Sequence, residues 1–234
     1  MIEPVNDASH AALMDRVYRR QRHFYDLTRK YYLLGRDRLV RDLAAQPGQS
    51  IVEIGCGTAR NLIRIAERYP GVKLYGLDAS AQMLRTAGDA IARAKLSGRI
   101  ALKHGLAEDV TPGFFGRDKP FDHAIFSYSL SMIPDWRAAL AAASSAVDED
   151  GRVHVVDFGD QRTLWPVARR SLRGWLALFH VTPRDELLGA LESKGGAREG
   201  YALHVLPGRY AFVLKAAPAA IADLIGSGVR LPAQ

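Results

Sequence analysis

From residue 51 onward, short apolar runs alternate with segments whose apolar residues recur at helical spacing. Ile51–Ile54, Lys73–Leu77, Ile100–His104, Phe121–Ser127 and Arg152–Phe158 are expected as strands. Helices are expected between them over about 60–69, 80–96 and 135–147, with Pro70-Gly71 ending the first and Gly98 the second. Strands alternating with helices of this length predict a parallel sheet with crossover helices, here spanning 48–160.

The flanks have a different pattern. Residues 10–45 place Leu13, Val17, Phe24, Leu27, Tyr31, Leu34, Leu39 and Leu43 at helical spacing among many arginines, which predicts two or three helices ended by Pro47-Gly48. Gln161 to Lys194 is helical in pattern but interrupted by Pro166 and Thr182-Pro183, as expected of a cap rather than another strand–helix unit. Tyr201–Leu206 and Arg209–Lys215 alternate and are joined by Pro207-Gly208, predicting an antiparallel hairpin that supplies strands six and seven. The expected fold is one α/β domain with a seven-stranded sheet and an antiparallel last strand. It divides into a helical cap (1–47), a core (48–160), a helical insertion (161–197), the hairpin (198–217) and a tail (218–234) that holds a short helix-like stretch, Ala219–Leu224.

Composition narrows the class. With 234 residues, 48% hydrophobic and 24% charged, the chain supports a folded core, and no segment approaches the roughly 18 uncharged apolar residues of a membrane span. Glu3 and Asp7 precede any apolar run, unlike a secretory leader. Cys56 is the single cysteine, so neither an internal disulfide nor a zinc cluster is expected, and no metal site. Both observations fit the cytoplasm. The net charge of +7 favours an anionic partner, or records no more than arginine-rich solvated faces.

Candidate chemistry concentrates where the first strand meets Gly55-Cys56-Gly57. Glycines there let a ligand approach the backbone, and Glu53 at the strand end offers a carboxylate to a positively charged amine. A dinucleotide loop wants a further glycine or alanine at the position held by Arg60, so this loop suits a cofactor without phosphates. Asp78 closes the second strand where an acid meets ribose hydroxyls, and the loop from His104 to Glu108 follows the third strand, where adenine is expected. The alternative is that Glu53 and Asp78 are caps and the glycines serve only a tight turn. Cys56, His104 and His154 read as structural.

In these features the sequence resembles the class I S-adenosylmethionine methyltransferases, whose Rossmann-like sheet ends in an antiparallel seventh strand. The resemblance implies S-adenosylmethionine as cofactor and S-adenosylhomocysteine as product. It places Gly55 and Gly57 along the methionine part, Asp78 on the ribose with Ala79 beside it, Met83 near the adenine, Leu106 and Ala107 at the ring edge, and Ser127 near the methionine end. Ala59 stands where a third glycine is frequent, and Leu106 where many members have an Asp.

For the acceptor, the loop Ser127-Tyr128-Ser129-Leu130 lacks the Asn/Asp-Pro-Pro-aromatic pattern of enzymes that methylate nucleic-acid amines, so no nucleic acid is expected. The segment from Met14 to Arg36, and Phe179 to Arg184 after it, resembles the bacterial betaine-lipid N-methyltransferases. That resemblance implies successive methylation of diacylglycerylhomoserine at an anionic membrane surface, with the protein peripheral to it. Two stretches could touch such a surface: the N-terminal arginines, and 161–184, which mixes arginines with Leu164, Trp165, Leu172, Trp175, Leu176 and Phe179 and contains no acid. Equally, those apolar residues pack on the sheet edge. Proton acceptors expected at the crevice are Tyr25, Tyr32, Tyr128, Asp157 and His180. Tyr18, Tyr25, Tyr31, Tyr32 and Tyr128 are expected to hold the methylated cation, with Tyr25 also closing over the donor. Phosphatidylethanolamine and a small molecule or quinone are the alternative acceptors, and a donor-binding regulatory module is the non-enzymatic one.

Overall fold

The computed structural model describes residues 33–194 and 200–226. Seven strands form one sheet: β1 (Ser50–Ile54), β2 (Lys73–Asp78), β3 (Ile100–His104), β4 (Phe121–Ser127), β5 (Val147–Phe158), β6 (Tyr201–Val205) and β7 (Ala211–Ala216), in the order β3-β2-β1-β4-β5-β7-β6. The first five are mutually parallel, and β7 runs antiparallel to both β5 and β6. The expected seven-stranded Rossmann-like architecture is therefore present. Its chain order reverses between β1 and β4, which opens a crevice at their carboxyl ends.

Both faces of the sheet are covered, which is why the strands are near-continuous apolar runs. Ile51, Ile125 and Val156 pack with α1 (Arg36–Asp42), α2 (Arg60–Arg68), α3 (Ala81–Arg93) and α5 (Pro166–Ala177) on one face. Val52, Phe126 and Val155 pack with α4 (Trp136–Ala146), α6 (Asp185–Ser193) and α7 (Pro218–Gly226) on the other. The period of two thus assigns every strand residue to a face, and it decides below which polar side chains meet.

Two strand starts differ from the expected ones by more than one residue. β5 begins at Val147 rather than Arg152, directly out of α4, with a register shift against β4 between Phe121 and His123. β7 begins at Ala211 rather than Arg209, because the exit from β5 captures the hairpin turn: Gly159 N–H donates to Tyr210 O (2.8 Å) and Gln161 N–H to Arg209 O (3.1 Å). Pro166 does not interrupt a helix but opens α5 at its first turn, where its missing N–H costs nothing.

On the α1 face, His123 and His154 stack edge to face at 5.3 Å, with Nε2 of His154 3.3 Å from Nδ1 of His123. Burial pushes His123 down to about 4; Asp122 opposes the shift, and Lys215 and Arg152 add to it. His154 is lowered too, by burial and then by His123, Lys215 and Arg152. An imidazole lowered in the folded state confers stability that is full above its unfolded value near 6.5 and lost as pH falls toward the folded value. Buried Asp157, raised to about 6, contributes with the opposite sign over the same window. A difference measurement separates them. Between pH 7 and 4 the unfolding free energy of the native chain should fall relative to His123→Gln by up to about 3 kcal/mol, read by urea denaturation. A pH-independent difference would contradict this.

Candidate cofactor site

The crevice is built where three strand-ending loops are tied together. Gly55 N–H and Cys56 N–H both donate to Leu77 O (2.8 and 3.0 Å), so the turn after β1 rests on the end of β2. Gly57 N–H donates to Oδ2 of Asp78 (2.7 Å), and Ser80 N–H to its Oδ1 (2.9 Å). The main-chain oxygen of Asp78 accepts from Gly105 N–H (3.2 Å), and Nε2 of His104 lies 3.0 Å from Ala79 O. Asp78 therefore links the loops after β1, β2 and β3 through its side chain and its backbone.

Gly55 is required at its position. Its φ is 74°, and a Cβ there would lie 2.5 Å from Cβ of Ser129, whose hydroxyl donates to Ile54 O (2.8 Å). Ala59, where glycine is frequent in the family it resembles, has φ 60°, the left-handed region that costs an L-residue roughly 1–2 kcal/mol.

A cleft of about 150 Å³ opens here, lined by Glu53, Gly55, Cys56, Gly57 and Thr58, by Arg60 and Asn61 of α2, by Ser127 at the end of β4, and by Leu33 and Arg36. Glu53 is buried, and its Oε1 accepts from Nδ2 of Asn61 (2.7 Å), which fixes the carboxylate at the cleft wall. Burial pushes the Cys56 thiol up, and Asp78 and Glu53 add to the shift, so the sulfur is a neutral packing group as expected.

Of the residues expected from the sequence, Glu53, Gly55, Gly57 and Ser127 meet in this cleft. Asp78 and Ala79 sit in the adjoining bond network. Met83, one turn into α3 behind the Ser80 cap, packs with Met132 and Phe179. Leu106 leads into the 3-10 turn Ala107–Asp109, its N–H held by Oδ2 of Asp109 (3.3 Å).

The expected proton acceptors fare differently. Tyr25 and Tyr32, with Tyr18 and Tyr31, lie outside the described residues. Tyr128 was expected at the crevice and is not there. A φ of 57° turns its side chain back onto Phe158 (centroids 4.7 Å), where its hydroxyl donates to Leu34 O (2.5 Å) and burial raises its pKa. Asp157 also faces away. It shares strand parity with Val155, on the α4 face, and accepts from Ser131 N–H (3.0 Å) and Phe158 N–H (2.7 Å). It props the loop after β4. His180 is exposed and ends α5 with φ 56°, its N–H on Ala177 O (3.0 Å), a turn-capping position.

Leu33, Arg36, Thr58 and Asn61 line the cleft without having been singled out in the sequence. Asn61 had a signal: it lies eight residues after the strand-ending Glu53, in the first turn of the next helix, where its amide points back at that carboxylate.

Residues 51–151 match the family described as a methyltransferase domain. The chain is 31% identical to demethylmenaquinone methyltransferase from Geobacillus kaustophilus over 47% of this chain and 45% of that protein. It is 29% identical to a ubiquinone/menaquinone biosynthesis C-methyltransferase from Syntrophotalea carbinolica over 79% of this chain and 73% of that one. The chain spans about half the length of the first of these curated relatives. In fold it is similar to phosphoethanolamine N-methyltransferase 2 of Haemonchus contortus, solved with S-adenosylmethionine, with TM-score 0.59 and 16% identity over 74% of this chain and 39% of that one. The cleft fits the methionine end of that cofactor, since Glu53 offers an anchored carboxylate to its ammonium. Asp78→Ala should weaken binding of S-adenosylhomocysteine by about tenfold or more in calorimetry, and unchanged affinity would contradict the site. The core of the chain is a class I S-adenosylmethionine-dependent methyltransferase domain.

Proposed function

We propose that the chain methylates a lipid headgroup amine, with diacylglycerylhomoserine as the acceptor and the trimethylated betaine lipid as the product. One observation carries this reading. The cap helix α5 and the residues that flank it expose Trp165 (84%), Val167 (74%) and Leu178 (70%), in a stretch from 161 to 184 that contains no acid. The same helix leads into Phe179, which packs on Met83 beside the cofactor loops and stacks on Trp175 at 5.0 Å. Exposed apolar side chains beside arginines, on a helix that leads into Phe179, suit an enzyme that works at the boundary of water and an anionic bilayer. Among the described residues no helix is long and apolar enough to cross a membrane. Contact with the bilayer is therefore peripheral in this reading.

Transfer from a sulfonium to an amine is an in-line displacement, so positioning supplies most of the rate, and the amine must shed its proton before attack. Tyr25 and Tyr32 remain the candidates of this reading for holding the amine and the growing cation. Methylation of a quinone ring is the second reading, favoured by what the curated relatives are named for.

With labelled S-adenosylmethionine, the chain should label diacylglycerylhomoserine in anionic mixed vesicles. Trp165→Ala combined with Leu178→Ser should reduce vesicle flotation at low salt and leave S-adenosylhomocysteine binding intact. Label in demethylmenaquinol alone, or no flotation of the native chain, would overturn the lipid reading.

A further inference from the structure

We propose that Asp157 is a positioning residue for methyl transfer: its carboxylate holds the loop after β4 in the place where that loop shapes the donor turn. The role is independent of which acceptor is methylated and rests on the cleft being the donor site. Asp157 is not among the residues that line the cleft, so it acts through the loop and not by contact with the donor.

The loop is tied into one unit. Met132 N–H and Ile133 N–H both donate to Ser129 O (3.0 Å each), which closes residues 129–133 into a turn. At its start the Ser129 hydroxyl donates to Ile54 O (2.8 Å), and Cβ of Ser129 stands 2.5 Å from where Gly55 would carry its own. Gly55 N–H in turn is bonded to Leu77 O (2.8 Å). The glycine turn is thus bounded by Leu77 on one side and Ser129 on the other, and the position of Ser129 limits that of Gly55.

Three residues anchor this unit from outside it. Oδ2 of Asp157 accepts from Ser131 N–H (3.0 Å), Thr182 N–H donates to Ser131 O (2.8 Å), and Arg184 donates from Nε to Leu130 O (3.0 Å) and from Nη2 to Ile133 O (2.5 Å). An anion therefore takes an N–H of the loop and a cation takes its carbonyls, and both are charge-assisted bonds, stronger than neutral ones. Thr182 and Arg184 belong to the insertion. Asp157 is the anchor of the three that belongs to the sheet.

A carboxylate is a costly choice for a prop. Asp157 is 1% exposed, and burial raises it to about 6 against the Ser131 hydroxyl, the N–H groups of Ser131 and Phe158, and Arg184. Ionised at neutral pH, such a group lowers the stability of the fold, so folding alone does not account for it. Among the described residues, the charged or titratable groups that bear on it are Arg184, which caps α6, and Tyr128 just past β4, kept protonated by burial. Its partner on β7, Phe212, is apolar. A donor site that needs the loop held binds best when Asp157 is ionised, and donor binding lowers the pKa of that carboxyl. Affinity is then full above about pH 6 and falls as pH drops through that value.

The test is calorimetric titration of the whole chain with S-adenosylhomocysteine across pH 5 to 7.5. For a carboxyl lowered by about one unit on binding, native affinity should fall about fivefold from pH 7.5 to 5, and binding at pH 6 should release about 0.4 proton. Asp157→Asn, checked as folded by urea denaturation, should bind about tenfold more weakly at pH 7.5 and lose both the pH dependence and the proton release. Arg184→Gln removes the cation that lowers Asp157, so the midpoint of the fall should move above pH 6, which reports on the same carboxyl without altering it. Native affinity independent of pH, binding without proton release, or an Asp157→Asn chain with native affinity or the native pH profile would overturn the assignment. No binding of S-adenosylhomocysteine at any pH would instead remove the donor site, and this role with it.

Discussion

The hydrogen bond from Gly57 N–H to the Asp78 carboxylate is the constraint on which the site depends. It closes the turn after β1 against the end of β2, and the main-chain oxygen of the same residue holds the loop after β3. In a phosphate-binding loop the corresponding N–H groups are offered to an anionic ligand. Here the protein's own carboxylate takes one of them, which places negative charge where a pyrophosphate would need to sit. The same carboxylate lies next to the glycine loop at the position where ribose hydroxyls are met in nucleoside-binding sheets. Cap and ligand group were alternatives on the sequence alone. The geometry shows the first role, with the two carboxylate oxygens accepting from Gly57 N–H and Ser80 N–H.

Strand parity organises the rest of the site. Glu53 and Ser127 fall on the α1–α2 face and meet in the cleft, with Asn61 reaching back from α2 to Glu53. Asp157 falls on the opposite face, where it supports the loop after β4 through Ser131. That loop in turn rests on Gly55 through Ser129. Arg184 pins its carbonyls at Leu130 and Ile133 from the cap side, and Thr182 N–H donates to Ser131 O. The helical insertion is thereby stitched to the same loop that bears on the cofactor turn.

The strands and the glycine turn were legible because their signals are local: apolar runs bounded by breakers, and a carboxylate two residues before Gly55. Tyr128 and Asp157 were misplaced because their direction depends on a left-handed residue and on the parity of a strand whose first residues are irregular. Arg36 entered the sequence reading only as the last residue of the segment that resembles the betaine-lipid enzymes, since its position in the cleft comes from Gly35 closing on Val156 and Val213, contacts far apart in sequence. Similarly, Trp165 and Trp175 look alike in the sequence, yet one is 84% exposed and the other stacks on Phe179. Proline at the first turn of α5 sets that division by fixing where the helix starts.

The most direct measurement of the central claim is a paired calorimetric titration of the full chain with S-adenosylhomocysteine and with NAD. A loop whose glycine N–H is already bonded to Asp78 should bind S-adenosylhomocysteine at one site per chain and give no heat with NAD. Binding of NAD in competition with S-adenosylhomocysteine, or no binding of S-adenosylhomocysteine at all, would contradict the account.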